Sequence, residues 1–184
     1  MAQNDVLSVP SAKHRIGVEL LIACVGSCFL AVMSQIAIPL VVTPIPITLQ
    51  TFAVFLLGGI LGSRRAVYSV LAYLIQGCLF LPVFAGGVIN PLWISGPQSG
   101  FLLSFVLGAY IIGKMIEKNP KSSIVTILLV LIVGQLVIFT IGMGWLSWYI
   151  GLEKAFFCGV VPFLPGAALK IMAASVVIRG YRSI

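Results

Sequence analysis

The sequence predicts an all-α integral membrane protein: six transmembrane helices, an outward-facing pocket capped by loops, and both termini on the cytoplasmic side. Three observations carry this. The 184 residues are 60% hydrophobic and only 8% charged, whereas soluble domains are roughly 25% charged. The apolar runs are long and continuous, as helical spans are and the strands of a barrel are not. The positive charges sit in short turns between those runs, where they set topology.

The elements follow in order. Met1–Arg15 is a polar tail without the apolar core of a signal peptide, so the first span is expected to stay in the mature protein. That span runs from about 16 to 38. Its Ala23, Ser27 and Ala31 recur every fourth residue, a smooth stripe that lets another helix approach closely. The partner helix belongs either to this chain or to a docked subunit. Pro44 and Pro46 favour extended backbone just before them. The second span, about 46–61, is short of the hydrocarbon thickness and begins with Thr48, Gln50 and Thr51. Such a polar start is tolerated only against protein or a cavity.

The third span covers about 66–80, with Tyr73 and Gln76. A Gly/Pro-rich loop follows, containing Phe84, Asn90, Trp93 and Gln98. Two large aromatics in such a loop are expected to fold over a cavity. The fourth and fifth spans run about 101–115 and 124–144. The fifth ends in Trp145, Trp148 and Tyr149, placed as an interfacial aromatic belt. The sixth, about 156–178, is broken by Pro162, Pro165 and Gly166. The whole chain reads as one membrane domain.

Nine cations, among them Lys13, Arg64, Lys114, Lys118, Arg179 and Arg182, then fall on the cytoplasmic side, and only Lys154 falls outside. This locates the chain in the cytoplasmic membrane as a multi-pass protein. It also puts the Thr48–Thr51 segment, the 82–100 loop and the 162–166 break together toward the outer face. The net charge of +7 therefore serves topology, and no nucleic-acid partner is expected.

Lys170 is the one charge well inside a span. A cation at the helix centre costs ~3 kcal/mol on insertion scales. The four acids, Asp5, Glu19, Glu117 and Glu153, all lie in tails, loops or span edges. Either a ligand carboxylate answers Lys170, or the ammonium snorkels or donates to backbone carbonyls. The convergence of broken elements on its side favours the ligand. Gln50, Asn90 and Gln98 offer donors and acceptors to amide or ureido groups, while Phe84, Trp93 and Tyr73 could cover an apolar ring or chain.

Enzymatic chemistry has no visible machinery. No Asp or Glu lies within a span, the lone His14 sits in the tail, and no nucleotide-binding motif is present. No metal or cofactor is expected. Cys24 and Cys28 share a helix face and read as packed small hydrophobes. Capture of a small molecule, energised elsewhere or not at all, is the function left. A non-transporting membrane interaction module is the contrasting class.

Six motifs resemble the BioY family, the biotin-specific substrate-binding component of energy-coupling factor (ECF) transporters. They are Pro-Ile-Thr-Leu-Gln-Thr-Phe at 46–52, Leu-Gly with a basic pair at 61–65, and Tyr-Leu-Ile-Gln-Gly at 73–77. Leu-Pro-Val-Phe-Ala-Gly-Gly at 81–87, Gly-Pro-x-x-Gly at 96–100 and Pro-Phe-Leu-Pro-Gly-x-x-x-Lys at 162–170 complete the series. The resemblance implies a six-helix protein that binds biotin and works with a transmembrane coupling subunit and two ATPase subunits. It implies a ligand set of Lys170, Asn90, Gln50, Thr48, Phe84, Gly86, Tyr73 and Gln98, and a subunit-docking role for Ala23, Ser27 and Ala31. Two departures stand out: Ala167 replaces the family's aspartate, and 96–101 reads Gly-Pro-Gln-Ser-Gly-Phe. The aspartate would have accepted ligand N–H groups and countered Lys170; Gln98 and Asn90 are the candidates to replace it. Another small carboxylated vitamin or a biotin precursor is the alternative ligand.

Overall fold

A computed structural model describes residues 12–41, 43 and 45–183. Most of the polar tail and Pro44 lie outside them, as do the side chains of Lys13 and His14. The first helix, α1, spans Ala12–Gln35. Leu49 donates its N–H to the Ile36 carbonyl at 3.2 Å, closing a short antiparallel ribbon of β1 (Ala37–Ile38) and β2 (Ile47–Thr48) in which Ala37 pairs with Thr48. The sequence reading expects extended backbone here but no ladder. The β-branched residues at 36, 38, 47 and 48 favour it, and pairing satisfies backbone groups at a depth where water is scarce.

The second helical stretch is α2 (Gln50–Leu56), continued by a π-helical turn at Leu57–Leu61. After a turn at Gly62, whose φ of +82° suits glycine, α3 runs Ser63–Cys78. The loop to α4 (Ser99–Lys118) holds two short 3-10 turns, at Ala85–Gly87 and Trp93–Ser95. The longest helix, α5, is Ile124–Ile150, started by the Ser123 side chain, which accepts the Thr126 N–H. The final segment is broken as its prolines demand: α6 (Leu152–Gly159), a 3-10 turn at Val161–Phe163, then α7 (Leu164–Tyr181) with Pro165 in its first turn.

Among the described residues, four stretches are long and apolar enough to cross a membrane: Arg15–Gln35, Ser99–Lys118, Ile124–Ile150 and Leu152–Tyr181. Gln50–Leu61 is apolar but shorter, and α3 has only 16 residues. The fully buried side chains are mostly apolar. They include Phe55, Tyr73, Ile112, Ile116, Leu131, Ile138 and Ile178, drawn from α2, α3, α4, α5 and α7. Large apolar residues also face outward on α1, α5 and α7, among them Leu20, Leu21, Val25, Leu129, Leu136 and Val176. Side chains that avoid water yet face outward suit a hydrocarbon solvent. Cys24 and Cys28 stand on such a surface; both are exposed thiols, not the packed hydrophobes expected.

One end of the molecule gathers the cations. Arg182 donates to the Gly59 carbonyl at 3.2 Å and Arg179 to the Ser122 carbonyl at 3.1 Å. Glu117 caps α3 there: Ser63 donates its N–H at 2.6 Å and its hydroxyl at 2.9 Å to the carboxylate. A carboxylate at a helix N-terminus satisfies an otherwise orphaned donor and meets the positive end of the helix dipole. Replacing Glu117 with Ala should cost about 1–2 kcal/mol, read as a drop of several degrees in the thermal midpoint of the purified protein.

Candidate functional site

The opposite half of the molecule encloses a cavity between α2, α4, α5 and α7. Thr48, Gln50, Thr51, Gln98, Gln135 and Lys170 supply its polar wall; Phe101, Leu102, Phe105, Phe139 and Phe163 are among its apolar residues. It encloses about 60 Å³ and adjoins a second cavity of about 140 Å³, with Pro46, Gln98 and Leu102 common to both.

Lys170 reaches this wall because the break before α7 lets its first turns lean toward the start of α2. Its ammonium donates to the Thr48 carbonyl at 2.6 Å and to the Thr51 hydroxyl at 3.1 Å. Among the described residues no carboxylate pairs with it; the ion pair present is Arg65–Glu19, at 2.8 Å. The backbone-donating and ligand-binding readings are thus compatible: two contacts hold the ammonium, and a third N–H remains for a ligand. Ala167, one turn earlier, is buried and lines the same cavity. The position that carries aspartate in the resembled pattern contributes no charge.

Gln50 is fixed from both sides. Its Oε1 accepts the Thr48 hydroxyl at 2.8 Å, and its Nε2 donates to the Tyr73 hydroxyl at 2.6 Å. Tyr73 is fully buried and stands behind Gln50 rather than in the cavity wall, a supporting role in place of the covering one expected. Tyr73→Phe should strand a buried amide donor, at about 1–3 kcal/mol. The expected result is a lower thermal midpoint together with weaker ligand affinity; a shift in neither would separate Tyr73 from the site.

The loop residues divide. Phe84 is buried, meets the Tyr73 ring edge-on at 5.6 Å and lies 5.7 Å from Trp93. Phe84, Asn90 and Trp93 line the second cavity, not the first, and Asn90 is otherwise exposed. Gly86 is exposed, with φ +74°; it borders a separate recess with Gln35, Pro39 and Thr43. Of the loop residues expected at the site, only Gln98 lines both main cavities.

Tethers hold the loop in place. The Ser34 hydroxyl donates to the Val83 carbonyl at 2.5 Å, and Gln35 Nε2 donates to the Phe84 carbonyl at 3.1 Å. Trp145 Nε1 donates to the Gly96 carbonyl at 3.0 Å, and the Tyr149 hydroxyl to the Ser95 carbonyl at 2.7 Å. Two of the three aromatics assigned to an interfacial belt therefore clamp this loop; Trp148 alone stands fully out.

The small-residue stripe also lies elsewhere than at a free surface. Ala23 and Ser27 are buried and Ala31 is half-buried. Gln76 of α3 donates to the Ser27 hydroxyl at 3.0 Å. The close approach that small residues permit is made by the chain's own third helix.

Gln135 is a polar cavity residue that the sequence reading does not name for the site, as it does not name the phenylalanines of the wall. It is a lone amide in the middle of the apolar helix α5, and an intramembrane polar residue of that kind was itself the signal.

The comparisons with known proteins agree with this architecture. The BioY family model matches residues 8–184. A probable biotin transporter BioY of Pyrococcus horikoshii is 37% identical over 73% of this chain and 78% of its own. The biotin transporter BioY of Thermotoga maritima is 34% identical over 86% of this chain and 92% of its own. A crystal structure of the S-component for biotin from an ECF-type ABC transporter shares the fold, with a TM-score of 0.83, 24% identity and 96% of each chain covered. With the family model spanning nearly every residue, the chain belongs to the BioY family.

Proposed function

We propose that this chain captures biotin from outside the cell and carries it across the cytoplasmic membrane as the substrate-binding subunit of an ECF-type transporter. The observation that carries the reading is Lys170: an ammonium in a largely apolar cavity, tied down by Thr48 and Thr51, with no carboxylate of the described residues on it. Biotin brings a carboxylate for that cation, a ureido ring for the surrounding amides, and an apolar ring system for the phenylalanines. The relatives in Pyrococcus and Thermotoga carry biotin-transporter names, which supports the same choice.

The chain crosses the membrane six times in this reading, with both termini and the cation-rich end in the cytoplasm. The two stretches short of a full span are shielded by their neighbours: α3 lies between α1 and α4, and α2 against α1, α4 and α7. Ligand sites for drug-sized molecules are ~300–1,000 Å³, larger than either cavity here. Binding therefore merges the two by displacing their shared residues, above all Gln98. Energy for release inward comes from a transmembrane coupling subunit and two ATPase subunits, in keeping with a sequence that carries no nucleotide-binding motif.

Uptake of labelled biotin by biotin-requiring cells tests the proposal. Cells expressing the chain with a coupling module should accumulate label, and unlabelled biotin should suppress it. Equal suppression by unrelated carboxylated vitamins would assign a different ligand, and no accumulation above control cells would contradict transport.

A further inference from the structure

Gln135 sits near the middle of α5 and is 5% exposed. It lines the Lys170 cavity beside Phe105, Ile138 and Phe139. Its side-chain carbonyl oxygen, Oε1, is buried and accepts no hydrogen bond among the described residues. It is the only buried side-chain oxygen or nitrogen among those residues in this condition. A buried amide carbonyl without a donor is destabilising, and native proteins keep few of them. The helix cannot supply the donor, because its own N–H groups are committed to the ladder. None of the nearby cavity donors reaches it: Gln50 Nε2 donates to Tyr73, and Lys170 donates to Thr48 and Thr51. An acceptor kept open in a cavity wall, opposite in hydrogen-bonding sense to Lys170, fits a ligand that carries both a carboxylate and an N–H donor.

We infer that the Gln135 side-chain carbonyl accepts a ureido N–H of bound biotin and so reads the ring while Lys170 reads the carboxylate. This rests on the biotin reading above and adds to it the residue that recognises the ring. A site built around a hydrogen bond discriminates strongly against an analogue that lacks the matching group.

The test uses the purified full-length chain and two variants, Gln135→Leu and Gln135→Met, with biotin and two biotins methylated at one or the other ureido nitrogen. Wild-type protein should bind biotin and lose about ten- to a hundredfold in affinity for one methylated form. Both variants should lose a similar factor for biotin and no longer distinguish that methylated form from biotin. Their ligand-free thermal midpoints should equal or exceed wild type, because an unsatisfied buried carbonyl has been removed; a residue kept for structure would instead lower them. Unchanged biotin affinity in the variants, or undiminished discrimination, would overturn the role, as it would if a water alone occupies the carbonyl. Absence of biotin binding by folded wild-type protein would overturn the biotin reading and this one together, so the two failures are told apart by the wild-type measurement.

Discussion

Lys170→Met should abolish useful biotin binding while leaving the protein at least as stable. Methionine keeps most of the side-chain length and apolar volume and removes only the charge. In the ligand-free chain the ammonium is held by a carbonyl and a hydroxyl, without a counter-charge among the described residues. Its removal takes away a desolvated cation and leaves Thr48 and Thr51 to find other partners at the cavity edge. With ligand bound, the same change leaves a carboxylate in an apolar cavity with no cation. Truncating one side of a buried charge pair typically costs 2–5 kcal/mol or more, so affinity should fall about a hundredfold or further. Isothermal titration on wild type and variant, with thermal midpoints measured beside it, reads both quantities. Equal affinity would remove Lys170 from the site; a large fall in the midpoint would make its role structural.

Gly113→Ala should have the largest effect on folding. Gly113 lies on the face of α4 that presses against the turn between α2 and α3. A Cβ there would land on the backbone nitrogen and Cα of Ser63 and within 2.8 Å of the Gly62 carbonyl carbon. These are backbone atoms, held in turn by the Glu117 cap one turn further along α4. No rotamer change relieves the clash, so two elements must separate. Overpacking of this kind costs up to about 3 kcal/mol. Gly144→Ala is the matched control: its Cβ would meet nothing within 4 Å, and alanine is the better helix former. Gly113→Ala should show a clearly lower thermal midpoint and less monodisperse protein than Gly144→Ala. Equal behaviour would mean that α4 does not pack on the Ser63 turn.

The positions of the helices were legible because hydrocarbon imposes one signal, apolar length, and prolines mark where it fails. The break at 162–166 and the short second stretch were both visible in that way. Lys170 was legible for the complementary reason that a cation in an apolar run needs an explanation. What apolar length hides is which face of a helix points inward. A helix that is hydrophobic all round carries no such stripe, so the small residues of α1 could be assigned equally to an internal partner or to another subunit. Ser27 and Gln76 supply an internal partner through a contact 49 residues apart in sequence.

The polar supports were missed for the same reason. Glu117 looks like one acid in a basic turn until Ser63 is brought to it, and Trp145 and Tyr149 look like belt residues until the loop carbonyls reach them. Tyr73 and Asn90 were placed at the pocket by residue chemistry and by the side of the membrane on which their segments fall. The fold sets one behind Gln50 and the other in the second cavity, because a loop anchored at Ser34, Gln35 and Trp145 cannot bring every polar residue to the Lys170 wall.

The most direct test of the central claim is equilibrium binding of tritiated biotin to the purified wild-type chain in detergent, with and without excess unlabelled biotin. Saturable binding at one site per chain, fully displaced by unlabelled biotin, is the predicted result. A monodisperse, cooperatively unfolding preparation that shows no displaceable binding would contradict it.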